Sequence, residues 1–187
     1  MHNELLKMND KFRKLSELGA EEFDHVDGSL ADHQKGTKKL LEQWGASVDL
    51  QDAGLYHAVY GTAGFAENMV SIEQRRDIAD IIGTSAEEIV YQYCACAREE
   101  FFAKIGNEPE PEFKNRFTGK SYRLTSGMLK NFCELTAANE IEIAIDNAEF
   151  MAQHGADLRQ LFTRMAPYLN AAALEKVENV FLDNITY

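Results

Sequence analysis

Residues 30–45 read LADHQKGTKKLLEQWG, and this stretch decides the fold. His33, Thr37, Leu40, Leu41 and Trp44 recur in steps of three and four, which places them on one face of a helix. The face between them is charged, and Gly45 stands where a helix-terminating glycine belongs. A strand would need alternation with a period of two, and none is present here. One helix buries a stripe of apolar side chains together with a histidine.

Working outward, residues 49–62 read DLQDAGLYHAVYGT. Leu50, Ala53, Gly54, His57 and Ala58 share a helical face, and Asp49 is placed to cap it. Residues 2–18 hold Leu5, Leu6, Met8, Phe12, Leu15 and Leu18 at amphipathic spacing, with a polar loop expected from Glu21 to Ser29. Ser71 with Gln74, and Thr84 with Glu87, have capping-box spacing. They open expected helices over 72–82 and 86–104. Pro109, Pro111 and Thr118-Gly119-Lys120 make 107–125 the least helical stretch, with a short hairpin expected around Phe117 and Tyr122. One long helix is expected over 128–153, then two more over 157–169 and 171–184. The chain reads as a single all-α domain, a compact helical bundle with a core over about 30–145 and extra C-terminal helices over about 155–184.

The 187 residues suffice for one core without disulfides or structural metal. Lys and Arg number 19 against 31 Asp and Glu, a formal charge of −12, which disfavours a nucleic-acid partner. Cys94, Cys96 and Cys133 lack the spacing of a redox or zinc pair and read as small buried hydrophobes. No run approaches the roughly 20 apolar residues of a membrane span, and Met1 to Asp10 lacks the apolar core of a signal peptide. A cytoplasmic protein with a small-molecule ligand is the expectation. The apolar residues beyond Gly155 complete the core or form the face of a homodimer.

Three places stand out together: His33, His57 and the Asn139-Glu140 pair of "LTAANEIE" at 135–142. The run "AGLYHAVYGT" at 53–62 is similar to the "aglLHDiGk" run of the HD-domain superfamily, helical metal-dependent phosphohydrolases. His33 stands where that family places its first histidine, His57 matches the second, and Asn139 falls at the last aspartate. The resemblance covers about 30–145 and extends to a divergent bacterial branch with an altered doublet. It implies an HD-like helical bundle and a hydrolase acting on a phosphorylated or nucleotide-like small molecule. His33 and His57 would be metal ligands for Fe, Mn or Zn, and His33, His57, Asn139 and Glu140 the catalytic set.

The departures have chemical weight. Ala58 occupies the position of the metal-bridging aspartate, and Asn139 that of the final aspartate. Two imidazoles and an amide oxygen carry no charge to hold a hard divalent ion. Compensating carboxylates are available in Asp27, Asp32, Glu140, Glu142 and Asp146, and His25 is a spare ligand. A site with no metal is the alternative: a binding or sensing module, or an enzyme with histidine as general base. An oxygenase-type reaction on the same fold is a further variant. The loop Tyr60-Gly61-Thr62-Ala63-Gly64-Phe65 would receive an oxyanion, with Arg75, Arg76 or Arg98 as its counter-charge. Tyr60, Gly61, Thr62, Arg75 and Arg76 are therefore the expected ligand-binding residues.

Overall fold

A computed structural model describes residues 2–18, 24–25, 28–64, 68–145 and 147–182. The protein is all-α, with nine α-helices among the described residues and two small antiparallel ribbons. Helix α1 (His2–Glu17) leads to the ribbon of β1 (Asp24–His25) and β2 (Gly28–Ser29), within the segment expected as loop. Helix α2 (Leu30–Gln43) follows directly and ends before Gly45, whose φ of 69° suits glycine. Helix α3 (Val48–Tyr56) is capped by the Ser47 side chain on the Leu50 amide rather than by Asp49. Gly54 lets α3 lie against α2, for a Cβ there would stand 2.6 Å from Leu41 Cδ1. This close approach brings the His33 and His57 backbones together.

The capping box of Ser71 and Gln74 opens a 3-10 turn ahead of α4 (Arg75–Ile82). The second expected box is absent. Gly83 caps α5 (Thr84–Ala95) without a side-chain bond, because Glu87 turns inward to Tyr60 and Arg75. The expected helix over 86–104 is two helices, α5 and α6 (Arg98–Lys104). The break has a tertiary cause. Cys96 bridges to Asn115, and the amides of Arg116 and Ala97 bond Ala95 and Lys114 carbonyls, so backbone pairing with the following loop replaces the helical ladder. That loop carries the expected hairpin, β3 (Glu112–Lys114) paired with β4 (Ser121–Arg123).

The expected helix over 128–153 is likewise divided. Helix α7 (Ser126–Ala144) ends, and the Asn147 side chain accepts the Phe150 amide at 2.8 Å to start α8 (Ala148–Met165). A 3-10 turn (Ala166–Tyr168), α9 (Ala171–Val177) and a π turn (Glu178–Leu182) complete the described chain. Leu158, Leu161, Phe162, Met165, Val177 and Phe181 are buried, so the C-terminal helices complete the core. All three cysteines are free and buried, and burial raises the Cys94 and Cys96 thiols to about 12. Among the described residues no helix is long and apolar enough to cross a membrane.

Candidate functional site

Helices α2, α3 and α7 meet around a polar floor built from four of the residues expected there. His33 of α2 and His57, the C-terminal cap of α3, are both buried, with ring centroids 5.0 Å apart and edge to face. Asn139 and Glu140 stand on α7 beside them, within the same cavity wall.

Hydrogen bonding fixes the chemistry of each imidazole. His57 Nδ1 donates to the Gly54 carbonyl at 2.7 Å, which sets its proton on Nδ1. His33 differs: Nδ1 meets the Glu142 carboxylate, and Nε2 lies 3.1 Å from Asn139 Oδ1. The Asn139 amide is oriented by its Nδ2, which donates to Glu140 Oε1 at 3.0 Å. Both His33 nitrogens therefore face oxygen acceptors, and only the imidazolium form donates to both. Room for Glu142 comes from Gly36, one turn along α2, where a Cβ would sit 2.5 Å from Glu142 Oε1. Gly36→Ala is expected to push Glu142 off His33 while the helix gains propensity. Unchanged or raised melting temperature together with a shifted His33 ring resonance would register this displacement.

A largely buried cation shares the floor. Arg98, the first residue of α6, lays its guanidinium 4.8 Å over the Tyr93 ring, and its Nη1 is 3.8 Å from Glu140 Oε1. Burial opposes its charge, but the field of neighbours that include Glu140 outweighs burial and holds the guanidinium pKa above its usual value. Burial also raises the Tyr93 hydroxyl pKa.

Above this floor lies a cavity of about 800 Å³. Its wall runs through Phe102 of α6, Ile143 of α7, and Phe150, Leu158 and Leu161 of α8. His154, Asp157 and Arg164 lie on the same helix along its rim. The face of α8 went unread in the sequence because the break before Asn147 was hidden, although 150, 154, 158 and 161 keep helical spacing.

Of the loop residues expected to bind ligand, Thr62 and Gly64 line the cavity. Gly61 makes the expected tight turn with φ of 70°, but its amide bonds the Ala58 carbonyl and its carbonyl accepts from Arg116. The Tyr60 hydroxyl donates to Glu87 at 3.0 Å, away from the cavity. Arg75 is held by both Glu87 oxygens and by Glu88, each at 2.7 Å, and stacks on Tyr91. Arg76 is exposed. Tyr60, Gly61, Arg75 and Arg76 thus stand outside the cavity lining, because intramolecular partners or solvent take their polar groups.

The described donors fit a divalent cation poorly. No group of three or more His, Cys, Asp or Glu among the described residues is arranged to hold one. Glu142 is bound to His33, Glu140 faces Asn139 and Arg98, and a permanent cation already occupies the floor. Asp27, Asp146 and the side chain of His25 lie outside what the structure describes.

A family model described as a domain of unknown function (DUF6817) matches residues 14–98. That span holds His33, Gly36, His57, Thr62 and Arg98, whereas Asn139 and Glu142 lie beyond it. No curated protein and no solved structure matches the chain.

Proposed function

We propose that the cavity is the active site of an enzyme that performs acid–base chemistry on a small molecule without a divalent cation. One observation carries the reading: His33 has a carboxylate on Nδ1 and an amide oxygen on Nε2, next to a second histidine whose proton sits on Nδ1. The two imidazoles are thereby biased to opposite roles about 5.0 Å apart. His33, as imidazolium, delivers its Nε2 proton to a substrate oxygen that displaces Asn139. Glu142 orients the ring, as a carboxylate does behind a catalytic histidine. His57, whose Nδ1 donates to the Gly54 carbonyl, accepts a proton at Nε2 from the opposite side of the substrate. Burial of His33, His57 and Asn139 strengthens these interactions by limiting access of water.

On this reading Arg98 and His33 supply the positive charge that a metal gives in the HD-domain superfamily. Elemental analysis of protein purified without added metal or chelator tests this directly, with His57→Ala as control. Metal well below one equivalent, unchanged in the variant, is expected. Near-stoichiometric Fe, Mn or Zn that disappears in His57→Ala would restore the metal-dependent hydrolase reading instead.

A further inference from the structure

We infer that the ligand of this cavity is an amphipathic acid: an oxyanion head bound at Arg98 and an apolar tail lying along α8. The inference rests on the cavity being the functional site proposed above, but not on proton transfer by His33. Arg98 carries five N–H donors, and no hydrogen bond joins it to a described residue. Its Nε is buried and unpartnered among the described residues, a cost that a native fold rarely leaves standing without a ligand or water. Its contact with Glu140, at 3.8 Å, is too long for a hydrogen bond. Glu140 and Glu142 oppose an anion here, but Asn139 and His33 respectively already donate to them.

The other cavity arginine, Arg164, also has a buried Nε without a described partner. It spends its terminal nitrogens on the Phe102 and Gln160 carbonyls, at 3.0 and 3.2 Å, whereas those of Arg98 bond no described residue. Gly64 shares the cavity lining with Arg98 and presents no side chain to it; a Cβ there would lie 3.8 Å from Arg98 Nη1. From the floor the cavity extends between Phe102 and Ile143 on one side and Phe150, Leu158 and Leu161 on the other. A free phosphate or acetate would leave that wall uncovered. Each methylene buried against it tightens binding by about fourfold.

Isothermal titration with octanoate, octan-1-ol and acetate, all in the presence of EDTA, separates head from tail. Octanoate is expected to bind one per chain, with octan-1-ol and acetate each weaker by about tenfold or more. Arg98→Gln is expected to weaken octanoate by about tenfold or more and to leave octan-1-ol unchanged. Octan-1-ol equal to octanoate in the wild type would overturn the inference even if Arg98→Gln failed to fold. So would acetate equal to octanoate, undiminished octanoate binding by Arg98→Gln, or no octanoate binding at millimolar concentration. These results are independent of the metal content that decides the acid–base reading, so the two fail separately.

Discussion

Asp52→Ala is expected to destabilise the domain by about 3–5 kcal/mol, the largest stability effect of any single substitution considered. Asp52 of α3 is buried, with its side chain only 3% exposed. It accepts Lys38 Nζ of α2 at 2.9 Å on one oxygen and Lys11 Nζ of α1 on the other. Lys38 is itself buried, and truncation of the carboxylate would leave its ammonium stranded in the interior. Lys11 can swing to water, but its departure loosens α1, which is also held by the Tyr56 hydroxyl donating to the Lys11 carbonyl at 2.7 Å and by Leu15, buried in the core. Denaturant unfolding followed by circular dichroism measures the loss. Pairing Asp52→Leu with Lys38→Met is expected to recover much of it, because the cost lies in the unpaired charge. A loss under about 1 kcal/mol for Asp52→Ala would mean that water already reaches the pair.

Two of the three helices that this cluster ties together, α2 and α3, carry the histidines, and much of that frame was legible in the sequence. His33 to Trp44 and Leu50 to Ala58 have a helical period that survives any tertiary context, so α2, α3 and their inward histidines could be read directly. Asn139 was legible only through the resemblance to a family pattern, since an Asn-Glu pair inside a helix carries no local signal. Two things were not legible. The break at Cys96–Ala97 depends on backbone bonds to Asn115, Arg116 and Lys114, which no local pattern reports. Without that break Arg98 reads as a late turn of one long helix rather than as the first residue of a helix facing the cavity. The assignment of Arg75 failed for a related reason: Glu87 looked like a capping residue and proved to be its buried partner.

His33→Gln is expected to lower turnover by about 10²–10⁴-fold on the first substrate found among amphipathic acids. Glutamine keeps a hydrogen-bonding amide near Asn139 but cannot exchange a proton at neutral pH. Octanoate affinity should therefore remain within a few-fold of wild type, which separates lost chemistry from lost binding. Glu142→Gln is expected to fall short of that loss, because it removes the orienting carboxylate and leaves the imidazole. The double variant should be no slower than His33→Gln alone, as residues that act as one unit are not additive. Equal turnover by wild type and His33→Gln would remove His33 from the chemistry.

The most direct measurement is heteronuclear NMR of the histidine ring nitrogens, with Zn²⁺ added stepwise to one equivalent. Hydrogens on both nitrogens of His33, a hydrogen on Nδ1 of His57, and no movement of either ring with Zn²⁺ are expected of a metal-free acid–base pair. A His33 Nε2 without hydrogen that shifts together with His57 Nε2 as Zn²⁺ is added would contradict it, and would mark the floor as a metal site.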